Sequence, residues 1–400
     1  MTAIVDFPCV LKEEELFTGP PADLVALSRE KPVWPMRHKN GEIGWLVFDL
    51  ERARAVLTDP RFSVLPAGFA VGDGGFGELA EELQNPGDLL RLDPPMHTRV
   101  RKTLTAFFTV RAIAELRATV ESIVDGRIDA MQAAGPPVDF VQAFSRQVPA
   151  MTICSMIGVP FSDAPRFIEP SHVLMSGDST GLEVKKAALD EFYAYVRDVI
   201  ARKRAAPGDD LTSKLLERGE LTDDELAGVI WFLFSAGFET TAQTLAISAL
   251  YLLHEPGRWK ATREDGAPIE ALVEELFRFV PIFRSGLTQR TALEEIDLDG
   301  YRIQAGDHVT VYQGVMHHDA GRYENPDVFD PSRDSRGHLL FGFGRHMCLG
   351  QHLARLEVQV AFERLLACLP TLRLAVEAGG VGLIRTGWLQ GMVTELPVSW

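Results

Sequence analysis

One cysteine closes a run in which aromatic residues, glycines and basic groups alternate: Phe341-Gly342-Phe343-Gly344-Arg345-His346-Met347-Cys348-Leu349-Gly350. Apolar residues at 349, 353, 356 and 360 follow at helical spacing, so Cys348 stands at the start of a helix. Unpaired backbone N–H groups and the positive end of the helix dipole favour a thiolate there. Thiolate is the form that ligates a metal. Gly342, Gly344 and Gly350 let the backbone lie close to something flat and bulky, and Arg345 and His346 offer positive charge beside it. A free cysteine is usually a small buried hydrophobe, but this setting points to a metal ligand.

Two further stretches carry chemistry. In Asp93-Pro94-Pro95-Met96-His97-Thr98-Arg99-Val100-Arg101, Pro95 suits the first turn of a helix. His97 and Arg101, four apart, share one face. Such pairs are commonly solvated; they are also well-suited donors to an anionic group. The second stretch is Ala236-Gly237-Phe238-Glu239-Thr240-Thr241, midway along a helical pattern that runs from the capping box Thr222-Asp223-Asp224-Glu225 to His254. A helix of about 30 residues spans ~45 Å and must pass the centre of the molecule. Glycine costs about 1 kcal/mol against alanine inside a helix, and a buried carboxylate is costly unless paired. Local rules broken at such a place mark a functional site; the bland alternative is a kink with Thr240 bonded back to a carbonyl.

The order Phe341-Gly342-x-Gly344-x-His346-x-Cys348-x-Gly350 resembles the haem-binding loop of the cytochromes P-450, the haem-thiolate monooxygenases. The other stretches resemble that family too. Asp93–Arg101 is similar to its Asp-Pro-Pro-x-His-x-Arg-x-Arg segment, and Ala236–Thr240 to its oxygen-binding groove. Glu275-x-x-Arg278 matches its Glu-x-x-Arg, with Arg333 as third member of a fold-holding network. The resemblance, from about residue 15 to the C-terminus, implies a mainly α fold, a triangular helical prism with a smaller β-rich lobe, in one catalytic domain over residues 1–400. It implies haem b (iron protoporphyrin IX) with Cys348 as iron ligand, and His97, Arg101, Arg290, His338 and His346 at the two propionates. Thr240 would face the iron and hold a hydrogen bond to dioxygen, Glu239 would help deliver protons, and Gly237 would leave room for the oxygen. Segments such as Phe108-Thr109-Val110 look most like actinobacterial members that tailor natural products.

The rest of the chain must position these groups. It has 400 residues, 46% of them apolar, and a net charge of −16. That acidity argues against nucleic acid and anionic membranes as partners. Cys9, Cys154, Cys348 and Cys368 are too few and too scattered for a disulfide framework. Acidic residues near the N-terminus exclude a signal peptide, and no apolar run reaches the ~18 residues of a membrane span; a cytoplasmic protein is expected. Val33–Met36 and Gly44–Val47 alternate around Lys39-Asn40-Gly41 as a hairpin, and Asp49–Leu57 reads as a helix. Residues 62–92 hold six glycines and two prolines, a loop of functional length. Val110–Ala134, Val138–Ile157 (interrupted by Pro149) and Leu182–Arg204 read as helices, residues 297–311 as short strands, and the tail as a strand.

The reaction expected is insertion of one oxygen atom into a hydrophobic natural product by hydroxylation or epoxidation, as in antibiotic biosynthesis and other secondary metabolism. A macrolide or other polyketide is favoured. A terpenoid or steroid-like substrate, a non-oxygenating haem-thiolate reaction (peroxygenation, nitration, coupling) and a haem sensor are the alternatives. The pocket wall is assigned to Leu65, Phe69 and Phe76 in the glycine-rich loop and to Met175. It continues through Phe232 and Ala236, one helical turn apart, then Ile282, Phe283, Leu287, Trp388 and Leu389. The motifs use up the chain and leave no stretch for a reductase domain, so the resemblance implies a ferredoxin and a ferredoxin reductase. Lys102, Arg345 and Arg355 form a basic island that could steer such an acidic partner. A monomer is expected.

Overall fold

A computed structural model describes residues 4–6, 19–38, 41–65, 86–175, 181–282, 288–384 and 392–400. In chain order the helices are α1 (Ala22–Glu30), α2 (Leu50–Thr58), α3 (Met96–Thr105), α4 (Val110–Ala114), α5 (Arg117–Ala134), α6 (Gln147–Ile157), α7 (Pro165–Met175), α8 (Leu182–Ala205), α9 (Leu211–Arg218), α10 (Asp223–His254), α11 (Arg258–Glu264), α12 (Ile269–Phe279), α13 (Gln313–Met316) and α14 (Gln351–Cys368). The helices dominate, as expected for a mainly α chain.

The axis of the fold is α10. Its 32 residues make about 48 Å at 1.5 Å each. The capping box is formed: the Thr222 hydroxyl accepts from Glu225 N–H at 3.2 Å and Glu225 accepts from Thr222 N–H at 2.9 Å. Nearly every side chain from Glu225 to Leu253 is buried, because α6, α8 and α14 pack against different sides of the helix. Ser235, Ala236, Gly237 and Thr240 are only half-buried, so the helix is least covered at its middle.

The β lobe is a six-stranded sheet ordered β1 (Val5–Asp6), β2 (Val33–Arg37), β3 (Ile43–Val47), β9 (His308–Val311), β6 (Thr288–Ala292) and β4 (Phe62–Ser63). The hairpin is present, with Val33 opposite Val47 and Met36 opposite Gly44. β7 (Ile296–Leu298) and β8 (Tyr301–Ile303) form a small ribbon. Near the C-terminus β11 (Gly382–Leu383) pairs with β12 (Val393–Glu395), and β13 (Pro397–Ser399) lies between β10 (Arg373–Leu374) and β5 (Val138–Asp139).

Two helix readings need correction. The stretch 110–134 is two helices, α4 and α5, with a break at Glu115–Leu116. The stretch 138–157 begins as β5 and a short π turn at Val141–Ser145, and only then becomes α6. Pro149 does not interrupt α6; it lies in the first turn, where its missing N–H has no intrahelical partner to lose.

α12 is held to the loop after α13 by a fully buried ion pair. Arg278 donates to both oxygens of Glu275 at 2.7 Å, and neither side chain is exposed. Glu275 also accepts from Asp330 N–H and the Ser335 hydroxyl, and Arg333 stands 3.5 Å away. Arg278 reaches the carbonyls of His317 and Pro326. Every strong group of this pair is answered.

Candidate functional site

Residues 341–350 form a tight loop that ends at α14. Cys348 N–H donates to the Phe341 carbonyl at 2.8 Å, closing the loop on itself. Gly342 and Gly344 take φ of 67° and 73°, the left-handed region that disfavours side chains. At Gly344 a Cβ would also come within 2.9 Å of the Leu57 carbonyl of α2. A Cβ at Gly350 would meet nothing within 4 Å. Phe341 is braced between Phe277 and the Arg355 guanidinium, 5.3 and 4.4 Å from its ring.

Burial raises the Cys348 thiol above its ordinary pKa, against the opposing pull of the Gly350 N–H, Arg101 and Arg355. The helix start and the cations therefore act as expected but do not outweigh desolvation. A cation at the sulfur supplies what burial withholds, since metal binding deprotonates a coordinating thiol.

Around the loop the chain gathers positive charge. α3 supplies His97 and Arg101, β6 supplies Arg290, and the loop supplies Arg345 and His346. The rings of His97 and His346 lie 4.1 Å apart, and Arg101 donates to the Met347 carbonyl at 2.6 Å. His97 is buried, yet neither ring nitrogen has a hydrogen-bond partner among the described residues. Burial, then Arg101 and Arg345, hold its pKa down at about 4. His346 is lowered by burial and by His97, Arg290, Arg345 and Arg101. Arg290, lowered by burial to about 10, is supported by Asp93. Asp93 itself is occupied by Ser63 Oγ and Val64 N–H, and is 3.9 Å from His346 Nε2. Among the described residues two acids, Asp93 and Asp59 (near Arg345 but already paired with Arg61), thus face three arginines and two histidines, of which His97 and Arg290 are buried and the others half-buried. A bound dianion with its acids near this group would correct the imbalance, and haem carries two propionates. The orphaned nitrogens of His97, the cationic cluster and the half-buried Cys348 together fit haem.

His338 does not belong to this cluster, contrary to expectation. Its Nε2 faces Glu274 at 3.1 Å and its Nδ1 accepts from Leu340 N–H. Glu274, held down at about 2, is shared with Arg355, despite burial that would raise it. Both ring nitrogens of His338 are engaged, which leaves no donor for a propionate. Arg355 is half-buried like Arg345, but its charge is engaged by Glu274, which takes it out of the expected basic island; Lys102 is exposed.

On α10, Ala236 and Thr240 stand one turn apart on the half-buried stretch. The Thr240 hydroxyl donates to the Ala236 carbonyl at 2.5 Å. That spends its proton on the helix and leaves its oxygen lone pairs to accept. The bland alternative for this residue therefore describes its resting geometry. Glu239, 7% exposed, accepts from Gln243 Nε2 at 3.1 Å and has Arg146 at 3.6 Å from its other oxygen. At Gly237 a Cβ would come within 2.9 Å of Ile153 Cδ1 on α6, so the glycine also eases the crossing of the two helices.

Of the expected pocket wall, Phe232 is buried, Leu65, Ala236 and Ile282 are half-buried, and Phe69, Phe76, Phe283, Leu287, Trp388 and Leu389 lie outside the described residues, as does the Met175 side chain. Sequence reasoning missed Arg146, Gln243 and Asp93. Gln243 could have been found, because it lies four residues after Glu239 on the same helix face. Arg146 had no local signal.

A family model described as cytochrome P450 matches residues 268–369. The chain is 38% identical over 383 residues to cytochrome P450-SU2 of Streptomyces griseolus, covering 95% of this chain and 94% of the relative. It is 35% identical over 382 residues to the mycinamicin IV hydroxylase/epoxidase of Micromonospora griseorubida, with 94% of each chain covered. The solved structure of CYP105P1 in complex with filipin I is 33% identical, covers 99% of each chain and superposes with a TM-score of 0.87.

Proposed function

The chain belongs to the cytochrome P450 family, and from that premise we propose that it oxidises a macrolide or other polyketide by hydroxylation or epoxidation, in a single catalytic domain over residues 1–400. It is a haem-thiolate monooxygenase. Haem, when bound, supplies dioxygen activation and the transfer of one oxygen atom to substrate.

The observation that carries the site is the group of three arginines and two histidines beside the half-buried Cys348, with His97 lacking a hydrogen-bond partner among the described residues. In this reading Cys348 is the iron ligand. His97, Arg101, Arg290 and His346 hold the propionates, and the tight Phe341–Gly350 loop keeps water from the sulfur. Across the site, Thr240 offers an acceptor oxygen whose direction is set by its bond to Ala236. Glu239 holds a proton-exchanging carboxylate next to it, and general acid work by such a group needs both reach and a route to solvent. Ala236 and Phe232 provide apolar wall on the same face of α10.

The substrate class is supported by relatives named for mycinamicin and filipin I. Electrons are proposed to come from a ferredoxin and its reductase, with Lys102 and Arg345 favouring an acidic partner on this otherwise acidic chain. No helix among the described residues is long and apolar enough to cross a membrane; a cytoplasmic monomer is proposed.

A screen of macrolides, terpenoids and steroids for substrate-induced spectral shifts, followed by NADH-driven turnover with ferredoxin and reductase, tests this reading. A macrolide should shift the spectrum and yield a product one oxygen atom heavier. Shifts confined to terpenoids would overturn the substrate class. Thr240→Ala should leave the ferrous–CO spectrum and the shift nearly unchanged while product per NADH falls and hydrogen peroxide rises. Normal coupling in that variant would remove Thr240 from the mechanism, leaving a helix-bending residue worth about 1 kcal/mol.

A further inference from the structure

We propose that Gln243 and Arg146 are positioning residues that hold the Glu239 carboxylate in its proton-delivering orientation; this rests on the reading of Glu239 given above. Gln243 is 5% exposed and uses both ends of its amide. Its Oε1 accepts from Val393 N–H at 2.8 Å, and its Nε2 donates to the Val393 carbonyl and to Glu239 Oε1, both at 3.1 Å. A carboxylate only accepts, so the NH2 end must face Glu239 and the carbonyl end is left for the strand N–H. One side chain thus completes the edge of β12 and fixes Glu239 in a single motion.

Arg146 addresses the other oxygen. It caps the start of α6, lies 3.6 Å from Glu239 Oε2, and places its guanidinium 5.1 Å from the Phe238 ring centroid. Its side chain is 12% exposed. The two oxygens are therefore held from two directions, by α10 itself and by a separate helix. Glu239 has three rotatable side-chain bonds, and Thr240 is its chain neighbour. With either hold removed, the carboxylate still lies in the site but its population in the useful rotamer falls.

A simple strap between α10 and β12 would account for the Val393 bonds as well, and substitutions at Gln243 separate the two. Gln243→Met keeps the length and removes every polar bond. Gln243→Glu keeps an acceptor for Val393 N–H but sets a second carboxyl against Glu239. A strap makes the Glu variant the milder one; positioning makes it the more severe.

The experiment uses the haem-loaded protein with ferredoxin, reductase and NADH, with and without filipin I as a probe. It reads the share of consumed dioxygen that leaves as hydrogen peroxide after taking up two electrons and two protons. The same variants are followed for the pH dependence of that share, the ferrous–CO spectrum and the melting temperature. Gln243→Met and Arg146→Met should raise the peroxide share by about threefold or more and displace its pH profile, with the ferrous–CO spectrum retained. Gln243→Glu should exceed Gln243→Met, and Arg146→Lys should recover part of the loss. In a Glu239→Gln background, Gln243→Met should add nothing to the peroxide share, and the two substitutions should be non-additive in melting. Lower melting with an unchanged peroxide share and pH profile in the Gln243 and Arg146 variants overturns the inference. An unchanged share in Glu239→Gln itself overturns the acid role instead, and the two failures are distinct. Should Gln243→Met not fold, Arg146→Met and Gln243→Glu carry the test.

Discussion

Two charged regions of this molecule are built on opposite principles. Glu275 and Arg278 are wholly buried, and every oxygen and most N–H groups find a protein partner. Among the described residues the His97–Arg101–Arg290–Arg345–His346 cluster has two acids near it, Asp93, which holds Ser63, and Asp59, which is paired with Arg61, so both are already in use. Both regions place costly groups away from water. Only the second leaves an account open, and that imbalance, rather than burial or charge as such, separates a binding site from a scaffold. Glu357 shows a third solution. It is 1% exposed, its Oε1 has no partner among the described residues, and burial raises its pKa to about 8 despite the Thr152 hydroxyl. A proton neutralises it.

The comparison can be broken at each of these places. The largest effect falls on the centre the cationic cluster serves. Cys348→Ser should abolish both the thiolate signature of the ferrous–CO spectrum and product formation, while the chain still folds. If that signature survives in Cys348→Ser and disappears in Cys154→Ser or Cys368→Ser, the cluster surrounds the wrong cysteine.

In the self-contained pair, Arg278→Met should destabilise the protein by about 3–5 kcal/mol by leaving Glu275 charged and alone. The double variant with Glu275→Leu should recover much of that loss in chemical denaturation. A single variant as stable as its parent would mean the pair is not what holds α12 to the following loop.

Arg290→Met should act with the opposite dependence on ligand. Loss of a charge-assisted bond of about 1.5–3 kcal/mol should speed haem transfer to an acceptor protein roughly tenfold to a hundredfold. The haem-free chain should melt close to its parent, because the buried cation removed carries a desolvation cost that Asp93 only partly offsets. Equal destabilisation with and without haem would erase the distinction between the two regions.

The smallest effect concerns Glu357. Its folded pKa is raised from 4.5 to about 8, so between those values the native state holds a proton that the unfolded chain has released. Stability from this group is fully present below about pH 4.5 and is lost as pH rises through about 8. Glu357→Gln should therefore gain on the parent steadily across that window in melting scans. A constant difference between the two proteins from pH 5 to 8 would show that Glu357 does not titrate there.

How far the site was legible depended on whether its parts are local. Cys348, the glycines at 342 and 344, and the Thr222–Glu225 cap announce themselves because the backbone demands them within a few residues: a left-handed turn, a loop end, a helix start. His97 and Arg101 could be paired by helical spacing alone. His338 was misread for the same reason in reverse. Its residue type fits a local pattern, but Glu274, from a distant segment, decides what it faces.

The sequence by itself determined the helical class, the long α10 with its broken centre, the metal-ligating loop and the likeness to one family. Periodicity, capping and turn chemistry act over a few residues and leave a trace in order alone. The tertiary structure decided which charges are answered. It closed Glu275 and Arg278 on each other, took His338 and Arg355 for Glu274, left His97 without a hydrogen-bond partner among the described residues, and brought Arg146 to Glu239 directly and Val393 to it through Gln243. Electrostatic satisfaction is set by distance and burial in space, and segments far apart in the chain supply the partners, so no local pattern could have assigned them.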